Sequence, residues 1–343
     1  MKQTAVIIAP GRGTYNKTEL GYLAKHHPNS PALAKFDAYR TAQGQTPVSE
    51  LDSAARFVGP THTRGDNASP LIYACSLFDF AAINRERFDI VGVTGNSMGW
   101  YTALACAGAL DAMSGLRVVN TMGRLMQEQM LGGQLIYPFV DDNWHEVAGQ
   151  RTALMSKVTE INARADHTLG LSIDLGGMLV LAGNEAGLSA FETSVPPLQG
   201  RYPMRLPNHA GFHTHLQIPV SKLGFESLPK DLFQQPEVPL IDGRGFIWNP
   251  KATDINRLYD YTLGHQVTET YDYTAAIRTA ARELMPDVFI VLGPGTTLGG
   301  ATAQSLILSN WQGWASKPDF QKAVAKQPKL LAMGMEEQRA YCV

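Results

Sequence analysis

The five residues Gly95-Asn96-Ser97-Met98-Gly99 place a serine hydroxyl where it could act as a nucleophile. The G-x-S-x-G spacing is that of a sharp strand-to-helix turn, with the serine at its tip in a strained backbone conformation. Side chains at Gly95 and Gly99 would collide with neighbouring chain, so hydrogen is wanted at both. The turn also aims the backbone N–H of Met98, at the positive end of the next helix, toward a developing oxyanion. A second cluster is His209, His213 and His215, three histidines within seven residues. The H-x-x-x-H-x-H spacing invites zinc, but no fourth ligand lies near it, and no other metal-ligand spacing occurs, so no metal is expected. The third feature is Pro10-Gly11-Arg12-Gly13, a tight loop after the first apolar run. Its G-x-G lacks the third glycine and the later acidic residue of a dinucleotide fingerprint.

These groups need elements to position them. Ala5 to Ala9 is an apolar run that reads as strand one, and its carboxyl end is where open α/β sheets place ligands. Ile90 to Thr94 is the strand feeding the serine turn, and a small-residue helix follows from Met98 to Leu110. Helical patterns cover Leu20 to Leu23, Ala32 to Thr41, Leu71 to Ile83 and Ser114 to Met130. Ser69-Pro70 predicts a helix start with proline at its first position. His26-His27-Pro28 reads as a helix stop with both histidines at the surface.

From residue 132 the periodicity changes. Gln134 to Val140 is a predicted strand, Asp142 to Gln150 a predicted helix, and Leu171 to Asp174 with Met178 to Ala182 a predicted hairpin. Glu185 to Thr193 reads as a short helix. This β-α-β-β-α run fits a small inserted unit of ferredoxin-like type, over 132–205, within a core of 1–131 and 206–343. Further on, Asp254 to Thr262 and Tyr273 to Leu284 read as helices, and Val288 to Leu292 as a buried strand ending in Gly293-Pro294-Gly295. The tail beyond Ser309 has no clear pattern.

The bulk numbers bound the answer. The 343 residues are enough for one large core and a second small one. Net charge is −2, so no nucleic-acid surface or polybasic membrane patch is expected. The three cysteines, Cys75, Cys106 and Cys342, are scattered, and the first two lie in apolar helical runs as buried free thiols. The first apolar run is too short for a signal sequence, and no run approaches the ~20 residues of a membrane span, so a reducing cytoplasm is the expected compartment.

Five separated patterns together resemble one family, the malonyl-CoA:acyl carrier protein transacylases and the acyltransferase domains of fatty-acid and polyketide synthases. Pro10-Gly11-Arg12-Gly13 is similar to that family's P-G-Q-G loop, and Gly95 to Leu104 to its G-H-S-L-G-E-Y-S-A-L turn. Gly123 to Gln127 resembles the end of M-R-G-K-F-M-Q, Phe212 to Leu216 resembles F-H-S-P-L, and Gly293-Pro294-Gly295 with Leu298 resembles G-P-G-x-x-L. Order and spacing agree from about residue 4 to residue 308. The resemblance implies an α/β hydrolase-like core with an inserted ferredoxin-like (α+β) subdomain. It implies Ser97 as nucleophile, His213 as general base, and the backbone N–H groups of Arg12 and Met98 as the oxyanion hole. It implies a backbone carbonyl near the Gly293 to Gly295 turn, in place of an acid, orienting the histidine. Acyl-CoA and an acyl carrier protein would be the partners, with acyl-CoA as substrate and no cofactor. Transfer would be ping-pong through an acyl serine.

The departures bear on the acyl group. Met122, just before Gly123, stands where the family's malonyl-binding arginine is expected. A carboxylate buried unpaired against a thioether would cost several kcal/mol. Arg124 lies about 200° around the helix from Met122, and Arg117 is also off that face. This favours a small uncharged acyl group. Against it, Arg12 replaces the loop glutamine and could clamp a carboxylate, pair with a CoA phosphate, or point to solvent. Asn96, Trp100 and Ser69 replace the family's His, Glu and Gln, and Phe212 is the bulky residue associated with small acyl groups. Met122, Phe212, Asn96 and Trp100 form the expected substrate wall. His209 and His215 would flank the base as supporting or surface groups. Three other readings compete: a thioester hydrolase acting on acyl carriers, a non-catalytic carrier-binding subunit, and an unrelated esterase, which would need an acid between serine and a late histidine.

Overall fold

The computed structural model describes residues 1–343. Its eleven strands are β1 (Gln3–Ala9), β2 (Phe88–Gly95), β3 (Gly133–Pro138), β4 (Leu169–Leu175), β5 (Met178–Gly183), β6 (Met204–Arg205), β7 (Leu240–Ile241), β8 (Ile247–Trp248), β9 (Tyr271–Asp272), β10 (Val288–Val291) and β11 (Leu330–Ala332). One sheet has the order β11-β10-β1-β2-β7-β8, with its first five strands parallel. Residues 5–9 of β1 are wholly buried, which is why this strand reads as an unbroken apolar run. Parallel strands need long crossovers, and helices fill the chain between β1 and β2.

The second sheet runs β6-β3-β5-β4-β9. Its β3, β4 and β5 pair antiparallel, while β9, from beyond residue 205, adds in parallel to β4. This is an α/β architecture with a separate α+β layer, as the change in periodicity predicts.

Several local expectations are corrected. The helix expected from Ser69 begins at Gly65 and runs to Ala82, with Pro70 inside it. Proline has no N–H to give the carbonyl of Asp66, and that carbonyl instead accepts from Nη1 of buried Arg40 at 2.7 Å. Asp142 to Gln150 is not helical. The Asp141 carboxylate accepts from the N–H groups of Asn143 and His145 and holds a turn, so the helix starts at Gln150 and runs to Asn162. The helix after the serine turn stops at Cys106, because Gly108 adopts φ 77° and Ala109 N–H returns to the carbonyl of Leu104.

His27 is not a surface residue. Its ring lies 2.7 Å from the fully buried Asp79, which also takes Tyr22 Oη–H and Nη1–H of Arg339. Arg339 belongs to the tail left unpatterned by the sequence. That tail forms a helix at Lys317–Lys326, edge strand β11, and a final helix at Glu336–Cys342. All three cysteines are buried free thiols. No helix is long and apolar enough to cross a membrane.

Candidate active site

β1 and β2 lie side by side in parallel, with Ala9 opposite Gly95, so the loop at Pro10 and the turn at Asn96 leave the sheet together. The turn is tight enough to dictate its glycines. A Cβ on Gly99 would strike the carbonyl oxygens of Ala9 and Pro10, and one on Gly95 would strike the carbonyl of Gly99. Ser97 sits at φ 55°, left-handed backbone that is strained for serine. The helix Gly99–Cys106 follows directly. The backbone N–H groups of Arg12 and Met98 have no acceptor within the chain.

His213 comes from the segment between β6 and the helix Ile218–Ser227. It is 3% exposed, and its Nε2 lies 2.7 Å from Ser97 Oγ. Its Nδ1 is 2.6 Å from the carbonyl oxygen of Gln266. A carbonyl can only accept, so Nδ1 carries the ring proton and Nε2 presents a lone pair to the serine hydroxyl. Burial pulls the His213 pKa down to about 4, only partly opposed by the Gln266 carbonyl, so the ring is neutral at physiological pH.

The carbonyl of Gln266 is free for a local reason. A π turn at Tyr261–His265 runs into a last helical turn that ends at Thr268, so Gln266 is among the final carbonyls with no intrahelical partner. Its side chain braces the other half of the pair: Nε2–H donates to the carbonyl of Ser97 at 3.1 Å, and Oε1 accepts from Tyr101 at 3.0 Å. Tyr271 Oη–H donates to the carbonyl of Gly95, and its ring lies 5.4 Å from that of His213.

The orienting carbonyl therefore does not come from the Gly293-Pro294-Gly295 turn. That turn is spent on packing. Gly293 N–H donates to Asp79, the Gly293 carbonyl accepts from Ser76, and a Cβ on Gly295 would strike the carbonyl of Thr14 behind the first loop. Gln266, Tyr101 and Tyr271 were not legible as site residues. For Gln266 the key atom is a backbone oxygen, which no side-chain pattern reports.

A narrow cleft above the serine is lined by Arg12, Ser69, Ser97, Met98, Tyr101, Gly123, Met126, Phe212, His213 and Gln266. Three expected wall residues, Met122, Trp100 and Asn96, do not line it. Met122 is wholly buried, with its sulfur turned against Gly224 on the helix Ile218–Ser227. Trp100 is wholly buried, and its indole N–H donates to Thr262. Asn96 faces Gly11 across the junction of the two loops. Each follows from neighbours on distant segments that claim the side chain first. Met126, one turn beyond Met122, takes the place by the cleft.

The three histidines part company. His209 contacts Gln134 Oε1 at 2.8 Å, and burial with the nearby charge of Arg12 pulls its pKa to about 3. His215 is exposed. Arg12 Nη2 donates to the carbonyls of Thr63 and Asn208 at 2.9 and 3.0 Å, and its guanidinium lies 5.5 Å from the Phe212 ring centre.

Fold and cleft together give an α/β hydrolase-like architecture with a serine–histidine pair beside the central strands. No protein-family model matches it. It is 25% identical over 311 residues to the malonyl CoA-acyl carrier protein transacylase of Salmonella typhimurium, covering 88% of this chain and 92% of that one. The malonyl-CoA:acyl carrier protein transacylase of Xanthomonas oryzae superposes with a TM-score of 0.76 at 16% identity, over 99% of this chain and 98% of the other. A malonyl-transacylase solved in complex with its type II polyketide acyl-carrier protein superposes with a TM-score of 0.74 at 16% identity, over 99% of each chain. Over nearly its whole length the chain is thus similar, at low identity, to malonyl-CoA:acyl carrier protein transacylases.

Proposed function

We propose that the protein moves a short acyl group from coenzyme A to the thiol of an acyl carrier protein through an acyl-Ser97 intermediate. The observation that carries this is the chain of contacts from Ser97 Oγ to His213 Nε2, and from His213 Nδ1 to the Gln266 carbonyl. Serine is a weak nucleophile unless a base takes its proton as it attacks. His213 is neutral, in hydrogen-bond reach, and held in the tautomer that accepts.

Attack of Oγ on the thioester carbon forms the C–O bond and passes the serine proton to Nε2. The carbonyl oxygen, now negative, falls to the unpaired N–H groups of Arg12 and Met98. Collapse breaks the C–S bond, and the imidazolium returns its proton to the departing CoA sulfur. A carrier thiol then attacks the acyl ester and gives its proton to Nε2; collapse breaks the C–O bond, and the imidazolium returns the proton to Ser97 Oγ. No side-chain acid is required, because the Gln266 carbonyl supplies the orienting acceptor. The relatives named as transacylases, and the one solved with its carrier protein, support carrier thiol as the acceptor. The contact between Ser97 and His213 disfavours a purely structural, carrier-binding role.

Mixing the protein with a panel of acyl-CoAs and weighing it intact tests the reading. We expect one acyl adduct, absent in Ser97→Ala and discharged by added holo-carrier protein. No adduct from any donor removes acyl transfer. Discharge to water faster than to carrier would make the protein a thioester hydrolase.

A further inference from the structure

We infer that the groove between the helix Thr297–Leu308 and the tail helix Lys317–Lys326 binds the aliphatic chain of a fatty-acid anion, at a site separate from the cleft over Ser97.

A cavity of about 520 Å³ opens there, within the range of small-molecule sites. Its walls are apolar: Phe320 and Val324 from the tail helix, Leu330 and Ala332 from β11, and Ala303 from the helix Thr297–Leu308. It shares no residue with the cleft over Ser97. No residue of the tail helix is buried, although Phe320 and Val324, one turn apart, form an apolar stripe on its cavity side.

The floor of the cavity is bare backbone. Gly299 and Gly300 lie in the first turn of the helix Thr297–Leu308, and neither has a positive φ. At Gly95 and Gly99 neighbouring backbone excludes a methyl group, whereas a Cβ on Gly299 or Gly300 would meet nothing within 4 Å. Neither conformation nor packing within the chain demands glycine at these two positions, and glycine weakens a helix relative to alanine. A ligand lying directly against the helix backbone accounts for both.

At Trp144 and Gly300 the groove continues into a second cavity, of about 530 Å³, that is polar. Two cations line it. Lys317 Nζ lies 5.2 Å from the centre of the Trp144 ring, and the Arg201 guanidinium lies 4.7 Å from that of Tyr202. Neither is ion-paired within the chain. The carboxylates beside them are engaged: Asp141 by the N–H groups of Asn143 and His145, and Asp142 by the Gln199 amide. Gln304 also lines this end; it is 7% exposed, and its side-chain oxygen has no partner. Its amide is free to present N–H to an anion. A compact charged ligand would leave the apolar wall wet, and a bare hydrocarbon would leave the two cations unmatched. An aliphatic chain with a carboxylate head satisfies both ends.

The test is calorimetry of the full chain with dodecanoate and with dodecanol, below their aggregation limits. We expect dodecanoate to bind at one site, and equally in Ser97→Ala. Dodecanol should bind about fivefold more weakly, and the double variant Lys317→Ala, Arg201→Ala should lose a similar factor for dodecanoate. Gly300→Leu, which fills the floor, should weaken dodecanoate about tenfold or more without lowering the thermal midpoint. Val324→Trp fills the same space from the opposite wall and should have the same effect. No binding of dodecanoate would overturn the inference, as would binding unchanged in both filling variants or lost in Ser97→Ala. Equal binding of dodecanol would remove the anionic head.

Discussion

The carbonyl oxygen of Gln266 lies 2.6 Å from Nδ1 of His213, and the side chain of the same glutamine donates to the carbonyl of Ser97. One residue thus fixes the tautomer of His213 and holds the backbone of Ser97. A helix that ends two residues after Gln266, following a π turn, makes this carbonyl available.

Removing the pair should abolish chemistry while leaving the fold. Ser97→Ala is expected to show no acyl adduct by intact mass. His213→Ala should slow acylation by about 10² to 10⁴, with little change in the thermal midpoint. Residual acylation within tenfold of wild type in His213→Ala would point to another base.

The pH profile should be unusual for a histidine base. The folded pKa of about 4 lies below the ordinary value near 6.5, so His213 is neutral and competent across the usual range. The acylation rate at pH 5.5 is expected within about twofold of its value at pH 7, falling only as pH approaches 4. A half-loss near 6.5 would show that the ring is solvated in the working enzyme. Stability moves with the same sign. His209 and His213 are both depressed in the fold, so the unfolded chain takes up protons first as pH falls below about 6.5. Their contribution is full above that pH and is lost progressively toward 4, which denaturant melts at pH 7 and pH 5 would reveal.

The turn glycines should tolerate no methyl group. Gly99→Ala would drive a Cβ into the carbonyls of Ala9 and Pro10, both backbone atoms of the central strand and its loop. A loss of about 3 kcal/mol or more is expected, with acylation lost as the serine is displaced. Chemical denaturation and the mass assay check the two parts separately.

Arg40 and Pro70 should be coupled. Arg40→Met removes the donor to the Asp66 carbonyl and also leaves Asn67 and Asn120 without their partner, costing about 2 to 4 kcal/mol. Pro70→Ala in that background restores an N–H for the Asp66 carbonyl, so the double variant should recover part of the loss. Strict additivity of the two changes in a double-mutant cycle would show that the Asp66 carbonyl is not the shared point.

Much of the machinery could be read from sequence because local rules fix it. Ile90 to Gly99 combines a buried strand, two mandatory glycines and a small-residue helix, and only a sharp turn with Ser97 at the tip satisfies all three. The buried run Ala5 to Ala9 likewise announces a central parallel strand. The change in pattern after residue 132 marks the second sheet. Asp142 to Gln150 departs from its helical composition because the Asp141 side chain competes for the same N–H groups.

What sequence alone determined, then, was the strained turn with Ser97 at its tip and the order of elements that carries it. Only tertiary structure decided what meets Ser97. Met122 and Met126 lie one turn apart on one helix, and which of them reaches the cleft depends on Gly224, about a hundred residues away. The acceptor for His213 is a backbone atom freed by a helix end, and the partners that hold Arg12 are carbonyls of Thr63 and Asn208. Backbone acceptors carry no residue identity, and packing between distant segments has no period, so neither leaves a mark in the chain that a linear reading can find.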